Sequence, residues 1–153
     1  MLLFNTILLS EGVFVNQTTT KDIFMKQAIG LAASIPVKRS EQRLAAICVD
    51  RKGKVLGKGT NSYTRTHTLQ RHFAILAGLP EEKMFLHAEV QALLRSKDKQ
   101  VHTLYVARLL KDNSEGLAKP CPACIEALKA FGVQKVVYTL TKNCYIEQNA
   151  ENL

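Results

Sequence analysis

Cys121 and Cys124, in the stretch KPCPACIEALKAFG, are the residues whose spacing most plainly suggests chemistry. Two sulfurs three positions apart at a helix start lie on one side and can face one point. That arrangement serves as half of a tetrahedral metal site, or as both halves of a redox disulfide. A helix N-terminus favours the thiolate form that metals require. Zinc would then need two further protein ligands, or one plus a water in a catalytic site. The chain has four histidines to offer: His67, His72, His87 and His102.

His87 stands apart because it opens HAEVQALLRSK, the strongest helical pattern in the chain, with Glu89 two residues on. In the body of a helix, positions i and i+2 point in nearly opposite directions. At a helix entrance the first residue is not bound to that geometry. His87 and Glu89 can converge there, one on a metal and the other beside it. A redox pair at Cys121 and Cys124 would leave both without a task, and a purely structural zinc site would fill its fourth position with protein. His67 and His72 read as ordinary loop and helix residues, although they could touch a phosphate or a second metal. Cys48 reads as a small core residue, and Cys144 has no partner at zinc spacing.

The elements that must position these side chains follow from periodicity. Residues 21–35 suggest a helix with Ile23, Phe24, Leu31 and Ile35 on its apolar face and Pro36 as its stop. RLAAICVD and KVLGKGTN, joined by RKGK, suggest a hairpin. Thr68 could cap a short helix carrying Leu69, Phe73 and Leu76. HTLYVARLL and VQKVVYTL read as strands, with the Cys121 helix between them presenting Ile125, Leu128 and Phe131. The last residues, TKNCYIEQNAENL, read as a polar tail. Helices alternating with strands predict an α/β fold: a three-layer α/β/α sandwich on a mixed sheet of four or five strands, antiparallel only at its opening hairpin. The helices that open at His87 and Cys121 both start where strands end, the side on which open α/β sheets build their sites. Residues 1–20 read as an irregular N-terminal arm with a short strand near Phe14, and residues 21–153 as one domain.

Composition bounds the function classes. The hydrophobic share of 46% and charged share of 22% are those of an ordinary globular chain. The net charge of +8 suits an anionic partner, though solvated surface lysine explains it equally well. It thickens between Pro36 and His72, where nine basic residues meet only Glu41 and Asp50. Four cysteines are too few for a disulfide framework. The apolar opening MLLFNTILLS lacks a basic flank and falls short of the roughly 20 residues of a membrane span. A reducing, cytoplasmic setting without membrane attachment is the expectation.

His87-Ala88-Glu89 followed by Pro120-Cys121-Pro122-Ala123-Cys124 resembles the zinc signature H-x-E…P-C-x-x-C of the cytidine deaminase superfamily, over roughly Leu44 to Leu140. The resemblance implies a cytidine deaminase-like fold and a hydrolase. It implies Zn²⁺ held by His87, Cys121 and Cys124 with water in the fourth position, and Glu89 as the proton carrier. Asn61 and Ala88 would then touch substrate, and a homo-oligomer is common in such proteins. Members act on free nucleosides and nucleotides such as dCMP, or on cytosine or adenine in single-stranded DNA or RNA.

The substrate is where the pattern thins. The segment between Asn61 and His87 is long, as in deoxycytidylate deaminases, and Arg65 and Arg71 within it could hold a phosphate. It lacks the Asn-Gly-x-Pro run usual in those enzymes. The long approach LYVARLLKDNSEGLAKPCPAC is more similar to a branch in viral and microbial genomes with an arginine near the strand end, here Arg108. A polynucleotide substrate would want aromatic platforms, for which Tyr63, Phe73 and Phe85 are candidates. With aromatics at 7%, a cytosine base in a free nucleotide leads. A non-catalytic zinc-stabilised nucleic-acid-binding module is the remaining alternative, and Glu89 speaks against it.

Overall fold

A computed structural model describes residues 6–9, 13–16, 23–80 and 84–153, the first two segments as backbone alone. The expected helix start at Lys21 lies outside the described residues. The elements run β1 (Thr6–Leu9), β2 (Val13–Asn16), α1 (Ile23–Ala33), β3 (Arg43–Val49), β4 (Val55–Thr60), α2 (Thr68–Leu76) and α3 (Ala88–Arg95). They continue with β5 (Thr103–Leu109), β6 (Glu115–Gly116), α4 (Pro122–Ala130), β7 (Lys135–Thr141), β8 (Cys144–Asn149) and a 3₁₀ turn, Ala150–Asn152.

The strands form one mixed sheet in the order β1-β2-β8-β7-β5-β3-β4, with β6 paired beside β5. Period-two alternation splits its side chains between two faces. Ala46 and Cys48 of β3, with Leu104 and Val106 of β5, enter the core under α2, α3 and α4. Ile47 and Val49 of β3 and Ala107 of β5 turn the other way, against Met25 and Ala28 of α1. The molecule is therefore the three-layer α/β/α sandwich that the element order suggested.

The sheet is larger than the four or five strands read from periodicity, reaching eight among the described residues. The segment read as a polar tail supplies β8, which pairs antiparallel with β7 and then with β2. Both of its faces meet the core: Tyr145 packs on the α1 side and Ile146 on the other, with Gln148 buried and Glu147 half-buried. In the stretch read as an irregular arm, the short strand expected near Phe14 is β2, and β1 pairs with it as a hairpin at the sheet edge. The expected parallel half also needs correcting. Among the described strands only β5 and β7 are parallel neighbours, because β3 lies between β4 and β5 and runs against both.

Two helical faces also differ from expectation. Helix α1 buries Met25, Ala28 and Ala32, whereas Ile23 is 61% exposed. Small side chains let this helix sit close on the sheet, and they outrank the larger apolar residues. In α2 the cap is His67, not Thr68: its Nδ1 accepts from the Leu69 N–H at 3.1 Å. Phe73 is buried there as expected, but Leu76 faces solvent and Gln70 takes an inward position. Among the described residues no helix is long and apolar enough to cross a membrane.

Candidate active site

Helices α2 and then α3 follow β4, and α4 follows β5 and its short hairpin partner β6. The starts of α3 and α4 meet at one cavity, which His87 and Cys121 both line. His87 is the N-cap of α3 and Cys121 the N-cap of α4, each in extended conformation, with Pro122 opening the first turn after Cys121. Neither uses its side chain to cap its helix, so both side chains remain available to the space between the helix ends.

His87 Nδ1 lies 3.3 Å from Cys124 Sγ and 3.4 Å from Cys121 Sγ. All three donor atoms fall within 4.8 Å of one another, a group that could hold a metal ion. With metal bonds of about 2.3 Å to sulfur and 2.0–2.1 Å to nitrogen, a tetrahedral site has N···S edges of about 3.6 Å, close to what is found. Glu89, in the first turn of α3, is only 4% exposed and shares a cavity of about 440 Å³ with His87, Ala88 and Cys121. Cys124 is buried behind them.

The electrostatics of this cluster are those of anions packed too tightly to ionise together. A hydrogen bond from the Cys124 thiol, helped by hydrogen bonding and charge from His87, brings the Cys121 thiol down to about 4 despite burial. Cys124 is pushed well above the ordinary thiol value by that same hydrogen bond, by burial and by the charges of Glu89 and Cys121. Burial raises the Glu89 carboxyl, with His87 pulling the other way. Burial would lower His87, but its hydrogen bond to Cys121 and the charges of Glu89 and Cys121 outweigh it and leave it raised. A divalent cation among these donors is what would let both sulfurs carry charge. The donor set, two sulfurs and one imidazole nitrogen, is one that zinc takes.

The family model described as the cytidine and deoxycytidylate deaminase zinc-binding region matches residues 18–140. The chain belongs to that deaminase family. It is a zinc-dependent hydrolytic deaminase, and its His/Cys/Cys group is positioned to hold the ion. No curated protein is similar enough in sequence to match. Solved structures share the fold of this deaminase. The ligand-free dCMP deaminase of cyanophage S-TIM5 gives a TM-score of 0.51 at 24% identity, over 76% of this chain and 79% of that one. Cytidine deaminase from Burkholderia pseudomallei gives 0.54 at 17% identity, over 83% and 90%. That from Mycobacterium leprae gives 0.52 at 14% identity, over the same shares, 83% and 90%.

Other sequence candidates fall in varied places. Asn61 and Ala88 line the cavity of this deaminase. The Asn61 amide, however, is engaged: Oδ1 accepts from the Leu44 N–H and Nδ2 donates to the Gln42 carbonyl, both at 2.9 Å. It pins the end of β4 to the start of β3. Tyr63 and Phe85 stand at the cavity as a tilted pair 6.5 Å apart, whereas Phe73 is buried in the core. His67 caps α2, His72 packs on Phe73, and His102 bonds Thr103 Oγ1 at the other end of β5. Arg65 and Arg71 are not among the residues lining the cavity. Arg108 and Lys119 are, though sequence reasoning gave neither a role in the site. The signal for Arg108 was available: Leu104 and Val106 face the helices, so a side chain two positions further along β5 does too.

Proposed function

We propose that this deaminase acts on the cytosine base of a free nucleotide such as dCMP, with His87, Cys121 and Cys124 as the zinc ligands and Glu89 as the proton carrier. The observation that carries the reading is the convergence of three donor atoms within 4.8 Å beside a buried carboxyl on one cavity wall. A cavity of about 440 Å³ suits a single nucleotide, since small-molecule sites run from roughly 300 to 1,000 Å³. Zinc, when bound, supplies the Lewis acidity that makes water nucleophilic near neutral pH.

The chain's own residues do the rest. Glu89 Oε takes a proton from the attacking water and gives it to ring nitrogen N3. A second proton passes by the same carboxyl to the amino group on C4, which leaves as ammonia while C4 becomes a carbonyl. Burial suits Glu89 to this work, because it holds the carboxyl in one place at the cavity wall, within the space the substrate would enter. Tyr63 and Phe85, tilted against each other at the cavity, favour a second reading in which flanking bases of a single strand stack there.

The test is an ammonia-release assay on dCMP, deoxycytidine, cytidine, adenine nucleotides and single-stranded oligonucleotides, run with wild-type protein and Glu89→Gln. Wild-type turnover should be best on dCMP, and Glu89→Gln should keep its zinc while losing about 10³-fold in kcat. Turnover confined to oligonucleotides would replace the first reading with the second. Undiminished turnover in Glu89→Gln would remove Glu89 from the mechanism.

A further inference from the structure

We infer that Arg108 and Lys119 form a subsite for the 5′-phosphate monoester of the substrate, which deepens the nucleotide reading above and rests on it. Arg108 projects from the end of β5 on the face that carries Leu104 and Val106, and so into the cavity that holds Glu89 and Cys121. Its guanidinium is poorly satisfied by the protein. Nε is buried with no hydrogen-bond partner, and Nη1 reaches only the Leu117 carbonyl, at 3.5 Å. Lys119 lines the same cavity two residues before Cys121. Neither cation has an acidic partner among the described residues, and the one carboxylate among the described cavity residues is Glu89.

A partly sequestered guanidinium with unused donors is costly unless an anion meets it. A cytosine nucleotide carries one such group, its phosphate, whose oxygens match the guanidinium fork. The monoester fits better than the diester of a strand, because it approaches two negative charges at neutral pH and the cavity offers two cations for them.

Zinc-loaded full-length protein, titrated calorimetrically with dUMP and with deoxyuridine, separates phosphate binding from turnover. Wild type should bind dUMP the more tightly, with the difference shrinking as salt rises. Arg108→Gln should cut the dUMP-to-deoxyuridine affinity ratio by about 10-fold or more, and Lys119→Gln should cut it less. The kcat/KM ratio of dCMP over deoxycytidine should fall in parallel. Equal weakening of both ligands, or an unchanged ratio, overturns the subsite. So does an Arg108→Gln defect as large on an oligonucleotide lacking a terminal phosphate as on dCMP. If Arg108→Gln loses zinc or its fold, Lys119→Gln and competition by inorganic phosphate against wild type decide the matter. Phosphate must displace dUMP and leave deoxyuridine bound, and failure to do so rejects the proposal. Should dUMP outbind deoxyuridine while no cytosine compound is deaminated, the functional reading fails and the subsite stands. Deamination of dCMP with no phosphate preference gives the reverse.

Discussion

At the scale of single residues, the position of His87 depends on a contact from another helix. Gln70, fully buried on α2, accepts the His87 backbone N–H on its Oε1 at 3.0 Å. That bond fixes the entrance of α3, where His87 must leave the helical path to face the two sulfurs. Gln70→Leu keeps the volume but strands the N–H, at a cost of about 1–3 kcal/mol. For a domain of this size that corresponds to a fall in Tm of roughly 3–10 °C. Calorimetry of the zinc-loaded protein should show it, with zinc lost more readily to a chelator. An unchanged Tm would mean that relief of the buried, unpartnered Gln70 Nε2 offsets the lost bond. The cysteine pair and His87-Ala88-Glu89 were legible in the sequence because each is a short-range pattern at a helix start. Gln70 was not, since its partner lies 17 residues away. Asn61 was legible as a residue at the site, but its amide is spent on the backbone of residues 42 and 44, which no local pattern could reveal.

At the scale of elements, α3 lies against β4 in backbone contact, and two glycines permit it. A Cβ on Gly59 would come 2.3 Å from the Ala88 carbonyl oxygen, and one on Gly57 would come 2.3 Å from that of Ala92. Gln91 then closes the edge by accepting the Thr60 N–H at 2.9 Å. Gly59→Ala must lift the first turn of α3, where His87, Ala88 and Glu89 sit. It should cost about 3 kcal/mol and weaken zinc retention. Gly30, in the exposed middle of α1, has nothing within 4 Å of its would-be Cβ, so Gly30→Ala should gain about 0.5–1 kcal/mol. Denaturant midpoints at constant slope measure both, and a shared sign would contradict the packing argument. The same closeness explains why helix existence was legible and helix faces were less so. Alanines at 28 and 32 bury α1, and α3 is enclosed so fully that Glu89 and Gln91 are buried with Val90 and Leu93. Hydrophobic periodicity weights large apolar side chains and passes over such positions.

At the scale of the whole molecule, the central strands were readable because they are near-continuous apolar runs, whereas β8 was hidden by its polar composition, Glu147, Gln148 and Asn149 following Tyr145 and Ile146. Yet β8 sits between β7 and the β1–β2 hairpin and is therefore interior to the sheet. It buries Tyr145 and Ile146, and its Gln148 accepts the Tyr138 hydroxyl at 3.2 Å. The Lys135–Glu147 pair that joins it to β7 is partly exposed and adds little. Burying two large side chains is worth roughly 2–3 kcal/mol each, together a large part of the 5–15 kcal/mol by which domains are stable. A chain ending at residue 141 should therefore lose its cooperative thermal transition and its zinc, although His87, Cys121 and Cys124 are all retained. A chain lacking residues 1–20 should behave differently. It gives up the edge hairpin and bares one side of β8, but the site is built by β4, β5, α3 and α4, which do not pair with the hairpin. That shorter chain should keep one zinc and a single transition at a somewhat lower temperature. Metal analysis and calorimetry of the two truncations test this together. If the chain ending at 141 folds and holds zinc, β8 is dispensable; if the chain lacking 1–20 does not, the hairpin is as much part of the domain as the helices whose starts carry His87 and the two cysteines.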